Sequence, residues 1–450
     1  MSEIQVRTAA WYGDELLHLP VPSEWHIQTL WPRTPAPLTD GEIVALLEQP
    51  VGQPSIRVLC RGRQRPLIVV DDLNRPTPVP RILPVLLEWF QQASIEPSQV
   101  RILIASGTHA PPDKDAIARK LGPDVAARCQ VIVHDPKQNL AVVGKTSFGT
   151  PIAVNREVLD SDFIVGIGGV YPNHSAGFGG GSKLALGVLG FRSILHLHYR
   201  HRPARWGAAM ETNTFRADLD EIARAVGLRT MISAYVNADR QLVHLLCGDH
   251  FLYYPDAVAF AREVYAAPEP DRADVVIANA YPSDVSLTFA KMKGFGPLAH
   301  CAPGATRVAI ASCSQGLGRH DLFPIDPSRL DRARALVRWA SVRNPAEVAV
   351  RVASRIRRGA RAAAANPATS FQNPIWMYRP GAHAGTLASS GLVLAESWPE
   401  IVRAVQQEQN PKRNLEVCLY PCAAIQFLEP ASQDRSDAAP ESVAVGSRPA

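Results

Sequence analysis

Short apolar runs alternate with amphipathic stretches along much of the chain. PLIVV (66–70), RILIAS (101–106), QVIVH (130–134) and DFIVGIG (162–168) read as strands buried on both faces. Between them, 78–93 and 113–121 carry helical spacing. Strands alternating with helices predict a parallel sheet covered by helices. A second unit of the same texture begins near residue 272, with strands at 273–280, 307–312 and 415–421 and helices at 283–295, 327–340 and 345–364. Residues 1–60 read as irregular and proline-rich apart from a helical stretch near 39–48, and AAPEPDR (266–272) reads as a junction. The expected fold is therefore two α/β domains with largely parallel sheets, 1–268 and 269–430, followed by a small, polar, disordered tail at 431–450.

Composition narrows the class. The 46% apolar and 20% charged content of the 450 residues is that of an ordinary globular protein. A net charge of +5 over that length gives no case for a nucleic-acid protein. No apolar run is long enough to span a membrane, and the first twenty residues lack the pattern of a signal peptide. Seven scattered cysteines, with Cys418 and Cys422 the only close pair, read as buried thiols of a cytoplasmic protein. Only eight lysines occur, so one inside a glycine-rich loop stands out. The run 351–365 reads as a basic, solvated helix.

In parallel α/β sheets, ligands sit beyond the carboxyl ends of the strands. There this chain carries DDLNRPTP (71–78), SGTHAPP (106–112) and GGVYPNHSAGFGGGSK (168–183). GFGGGSK, ending at Lys183, follows a strand and is expected to open a helix, a combination that suits an anionic group. It is not a phosphate-binding P-loop: Ser182 stands where glycine belongs, and Leu184 where the magnesium-binding hydroxyl belongs. Arg75 can grip a carboxylate or phosphate, and Asp72 can hold that arginine or cap a helix starting near Thr77. His109 and His174, on neighbouring loops, can flank a substrate as an acid/base pair. In LHLHYRHR, His198 and His201 share a face if the segment is helical, and His196 and His198 if it is extended. Neither arrangement is a complete zinc set.

Taken together and in order, these loops resemble the lactate racemase family, nickel-pincer-dependent 2-hydroxyacid racemases and epimerases. The residues that carry the resemblance are Asp72, Arg75 and Pro78; Gly107, Thr108 and His109; His174; Ala176-Gly177-Phe178; Gly180-Gly181-Ser182-Lys183; and Gly187 followed by His198. YPSDVSLTFAKMKGF (281–295) and CSQGLGRHDLF (313–323) resemble its later motifs, so the likeness spans roughly 65–425. It implies a site in an interdomain cleft. It also implies a nickel-pincer nucleotide, Ni(II)-pyridinium-3,5-bisthiocarboxylate mononucleotide, attached to Lys183, with His198 as nickel ligand and Asp72, Leu73, Asn74 and Arg75 as cofactor contacts. His109 and His174 are then the acid/base pair on the two faces of the substrate carbon. Arg75, Lys293 and Phe289 are the expected substrate contacts. Such an enzyme needs cofactor-biosynthesis enzymes for its maturation, and its oligomeric state stays open, a homo-oligomer included.

Three departures from the family pattern bear on specificity. Asn173 falls where the histidine is expected, one residue before His174. The spacing from Lys183 to Gly187 is one residue short, with Leu186 in place of a proline. In the later helix, Phe289 or Ala290 replaces a glutamine, and the lysine that follows is Lys291 or Lys293, with Lys293 favoured. The last two changes predict a hydroxyacid larger or more apolar than lactate. Two other readings remain: a nucleotide- or phosphate-dependent dehydrogenase with a free cofactor, and a non-catalytic ligand-binding protein on the same scaffold.

Overall fold

A computed structural model describes residues 2–201, 213–350, 374–381, 387, 389 and 391–429. The basic run 351–365 and the tail 431–450 lie outside them.

Two six-stranded sheets organise the chain. In the first, the spatial order is Leu242–Asp249, Thr230–Val236, Phe163–Gly169, Pro66–Asp71, Arg101–Ala105, Gln130–Val133. All neighbours are parallel except the Thr230–Val236 and Leu242–Asp249 pair. The two central strands, Pro66–Asp71 and Phe163–Gly169, are buried at every position because both faces of the sheet are covered. Ile68, Val70, Ile102 and Ile104 pack with Leu86 and Phe90 on one side. Leu67, Val69 and Leu103 pack with Leu184, Val188 and Leu219 on the other. From Pro66–Asp71 the chain builds outward to one edge and then returns to add Phe163–Gly169 on the opposite side. The strand order reverses between these two strands, and there an open parallel sheet leaves a crevice at its carboxyl ends.

The second sheet is parallel throughout, in the order Leu392–Ala395, Ile375–Tyr378, Thr306–Ile310, Val275–Asn279, Glu416–Tyr420, His26–Thr29. The two halves share packing: the first cluster continues into Tyr281, Val285, Leu322 and Phe427. They also share a polar anchor. The buried Asp284 carboxylate accepts from the Thr8 hydroxyl and from the backbone N–H groups of Ala9, Ala10 and Ser312.

Three local expectations change. Residues 1–60 are not irregular: Ser2–Thr8 and Glu15–Val21 form an antiparallel hairpin, and His26–Thr29 is an edge strand of the second sheet. Its neighbour Glu416–Tyr420 comes late in the chain, so no local pattern announces the pairing. The helix expected at 283–295 contracts to Leu287–Phe289 followed by a π-helical turn, Ala290–Gly294. The segment after GFGGGSK is a 3-10 helix, Gly181–Val188, rather than an α-helix.

Candidate active site

The first strand ends in two carboxylates with separate tasks. Asp71 is held by Lys120, whose fully buried ammonium donates to Asp71 Oδ1 at 2.6 Å and to the carbonyls of Arg75 (3.2 Å) and Thr77 (3.1 Å). The Thr77 hydroxyl donates to Asp71 Oδ2 at 2.6 Å. Lys120 thereby fixes the 71–78 loop from beneath. Asp72, also buried, takes the Asn74 side-chain amide at 2.8 Å and His109 Nδ1 at 2.5 Å. Burial works against the Asp72 charge, but His109 and Arg75 outweigh it and hold the carboxyl below the usual range. With Nδ1–H given to Asp72, the second ring nitrogen of His109 is left as an acceptor.

The glycine loop is tied down by its own carbonyls. Arg216 donates to the carbonyls of Phe178 (2.5 Å) and Gly180 (3.0 Å), and the Tyr254 hydroxyl donates to that of Gly179 at 2.5 Å. Gly180 has φ +70°, and a Cβ there would meet Val170 at 2.9 Å, so the turn requires glycine. Gly187 closes the loop against the neighbouring strand: a Cβ would lie 2.5 Å from the Ala105 carbonyl oxygen. Lys183 is thereby delivered into the crevice. Its ammonium is pushed down to about 7 by burial and by Arg75 and Arg216.

His198 sits on the helix Phe191–Arg200. Its Nδ1 meets the Ile194 carbonyl at 2.8 Å, so Nδ1 carries the proton and the other nitrogen keeps a free lone pair. Burial and the neighbouring Lys183 push it down to about 3, so the ring is neutral near pH 7. Its sequence neighbours turn elsewhere: His196 to the Thr150 hydroxyl and His201 to Asp218. Asn173 spends its side-chain oxygen on the backbone N–H groups of Ser175 and Ala176, both at 2.9 Å, which turns the loop. His174 lines the crevice and is pushed down to about 4 by burial and by Lys293, Lys183 and Arg75.

The second half of the chain closes the crevice with Phe289, Met292, Lys293, His320 and Phe323. The Phe289 ring meets His109 edge-on at 4.7 Å between centroids. Lys293 is buried, and that burial, with repulsion from Arg75 and Lys183, pushes its ammonium well below the ordinary value. Lys291 instead donates to the Ser389 hydroxyl at 2.7 Å, on the far side of its turn.

Asp72, Arg75, His109, His174, Lys183, His198, Phe289 and Lys293 thus all line one cavity. Leu73 and Asn74 do not: Leu73 packs in the core, its carbonyl accepting from the Trp11 indole at 3.0 Å, and Asn74 braces Asp72. Asp72 contacts His109 and Asn74 rather than gripping Arg75, and Thr77 is bound by Asp71 rather than opening a helix capped by Asp72. Sequence reasoning missed His320 and Lys120. His320 lay in view in GLGRHDLF, whereas Lys120 looks like an ordinary last-turn helix cation. Among the described residues, no group of three or more His, Cys, Asp or Glu side chains is arranged to hold a metal unaided. A metal here would need donors from another group, with His198 as the protein's own.

The site therefore combines a nucleophile-competent amine, an imidazole lone pair, a carboxylate-oriented histidine and several cations. Residues 12–209 match the lactate racemase N-terminal domain. The lactate racemase of Thermoanaerobacterium thermosaccharolyticum is 26% identical over 286 residues, 62% of this chain and 66% of that protein, just short of two thirds of its length. The lactate racemase of Lactiplantibacillus plantarum is 26% identical over 303 residues, 64% of this chain and 70% of that one. The fold is similar to that of the lactate racemase apoprotein from T. thermosaccharolyticum, with TM-score 0.67 and 21% identity, covering 95% of this chain and all of that one. A Thermotoga maritima protein is similar at TM-score 0.57 and 15% identity, over 88% of this chain and all of its own.

Proposed function

We propose, for a chain that belongs to the lactate racemase family as a divergent member, that it inverts C2 of a 2-hydroxyacid larger or more apolar than lactate. It would do so with a nickel-pincer nucleotide joined to Lys183. The observation that carries this reading is the meeting in one cavity of the Lys183 amine, the His198 lone pair and the Asp72-oriented His109.

The residues suit that group. An amine pushed down to about 7 is about half neutral, and so available as a nucleophile, near pH 7. The His198 nitrogen opposite its carbonyl bond is unprotonated, as a metal ligand must be. Arg75 and Lys293 line the same cavity, where a phosphate and a substrate carboxylate would offset their repulsion. When bound, the cofactor supplies a reversible hydride acceptor, which spares the enzyme a carbanion beside a carboxylate.

The protein's own part is proton transfer and orientation. His109 takes the proton of the substrate hydroxyl, and Asp72 stabilises the imidazolium that results. His174 serves the opposite face. Burial holds it down first and Lys293, Lys183 and Arg75 next; an anionic substrate would offset the part due to these cations. Phe289 and Phe323 form an apolar wall, which favours a side chain longer than a methyl group.

The seven cysteines are free thiols, which fits a reducing compartment, and a cytoplasmic location is part of this reading. No helix among the described residues is long and apolar enough to cross a membrane. Maturation enzymes for the cofactor are its implied partners.

The test is the mass of the Lys183 peptide, with metal analysis, from cells that make the cofactor. A mononucleotide-sized adduct with one nickel per chain is expected, followed by racemisation in a panel of 2-hydroxyacids. An unmodified lysine without nickel sinks the reading and leaves the cavity as a reversible anion-binding site.

A further inference from the structure

The loop after the Thr306–Ile310 strand brings His320 against the His109 loop. The two residues form a backbone bridge, and the Asp321 N–H donates to the Thr108 carbonyl at 3.1 Å. Their rings face the same cavity, 5.2 Å apart between centroids. The hydrogen bonds give the two imidazoles opposite characters. His109 holds Nδ1 against the Asp72 carboxylate, so Nδ1 donates and the other nitrogen accepts. His320 Nδ1 accepts instead, from the backbone N–H groups of Leu322 (3.3 Å) and Phe323 (3.2 Å). A neutral imidazole carries one proton, so in His320 it resides on Nε2.

We propose that His320 is a catalytic residue that donates an uncharged Nε2–H hydrogen bond to the substrate's C2 oxygen while His109 exchanges that oxygen's proton. This rests on the racemase reading. A 2-hydroxyacid oxygen has one proton to give and a lone pair to offer, and the adjacent rings match the two. Two hydrogen bonds of about 2.8–3.0 Å meeting on one oxygen set their nitrogens roughly 4.6–5.2 Å apart, and the centroids of these two rings lie 5.2 Å apart. In the forward half-reaction the hydroxyl proton passes to His109 as C–O becomes C=O, the C2 hydrogen going as hydride to the acceptor that a bound cofactor would supply. His320 keeps its proton throughout, bonded first to a hydroxyl, then to an oxygen gaining negative charge, then to a ketone. A fixed neutral donor of this kind stabilises charge as it develops, without a proton transfer of its own.

Two measurements test it. The first uses apoprotein: 15N NMR of the imidazole nitrogens, assigned with His320→Gln. An Nε2–H tautomer for His320 is expected from about pH 6 to about pH 8, with a shift on adding 2-oxo-4-methylpentanoate. An Nδ1–H tautomer, or no shift with the ketoacid, overturns the proposal. The second uses holoenzyme and L-2-hydroxy-4-methylpentanoate. His320→Ala should lower kcat by about 10²–10³-fold with little change in KM, the range for losing one such donor. His320→Gln, which can place an amide N–H near Nε2, should recover about tenfold or more of that loss. Equal losses in both variants mean that the ring only shapes the loop, and overturn the proposal. Failure of the racemase reading registers separately, as an absent adduct on Lys183, and the NMR result still decides the donor.

Discussion

Burial disfavours the ammonium of both Lys183 and Lys120, but their neighbours differ. Burial and then the neighbouring Arg75 and Arg216 disfavour the Lys183 ammonium, and its ordinary value of 10.5 falls to about 7. Its neutral fraction then rises with pH through about 7, not through the alkaline range of an exposed lysine. Competitive acetylation of the apoprotein by trace acetic anhydride, followed on the Lys183 peptide, should therefore reach half its limiting rate near pH 7. An ordinary lysine side chain in a model peptide should still be gaining rate above about pH 9. If the Lys183 peptide follows that alkaline profile, the low value for Lys183 is wrong. Lys120 has Asp71 for a partner and three oxygens around its ammonium. Lys120→Met removes the cation and leaves a buried carboxylate unpaired, a change that costs about 3–5 kcal/mol. Urea unfolding should show that loss at neutral pH. A variant as stable as the parent would mean that Asp71 does not depend on this pair.

The glycine loop works because its backbone adopts what side chains forbid. Gly180 combines φ +70° with ψ −178°, a conformation close to glycine-only. Gly180→Ala should cost about 1–3 kcal/mol and, by shifting the turn before Lys183, reduce adduct formation in cells that make the cofactor. An unchanged urea midpoint with full adduct would show that the loop tolerates a Cβ. This element also marks where the sequence stops being legible. Strands such as Pro66–Asp71 and Arg101–Ala105 were readable because unbroken apolar runs have few other uses. The carboxyl-end loops were readable because glycine, histidine and acid clusters are costly without a purpose. The 3-10 form of Gly181–Val188 was not, since it is set by close contact of Gly187 with Ala105 across the sheet. Nor was the π turn at Ala290–Gly294, where Gly294 packs against Ala280: a Cβ there would lie 2.5 Å from it. His320 was visible as a residue, but its partner nitrogens belong to its own loop's backbone, and no spacing rule exposes that.

Across the whole molecule, the N-terminal hairpin is the piece that connects the second sheet to the first sheet's catalytic loop. Asp284 accepts from Thr8, Ala9 and Ala10 at one end. Next along the chain, the Trp11 indole N–H donates to the Leu73 carbonyl, inside the loop that presents Asp72 and Arg75. The Arg240 guanidinium lies over the Trp11 ring at 3.8 Å and is itself held by Asp14, which also accepts from the Tyr281 hydroxyl. None of these contacts is local in sequence, which is why the segment looked featureless when read alone. The arrangement predicts that a change far from the cavity reaches it through backbone order. Asp284→Ala leaves several buried donors unmet, at about 1–3 kcal/mol for each one left unsatisfied. The hairpin should then loosen first around residues 8–10, where that carboxylate holds it, while Arg7–Asp239, Arg240–Asp14 and the Trp398 indole on the Pro20 carbonyl still tie its other parts. Hydrogen exchange should quicken in residues 2–21 and, through Trp11, in residues 71–78, while the Phe163–Gly169 strand at the centre of the sheet stays protected. With the Asp72 loop less ordered, His109 loses its fixed orientation, so turnover should fall more than substrate binding. Faster exchange confined to residues 2–21, with 71–78 unchanged, would show that the hairpin is only a cover and that the loop is held by Lys120 alone.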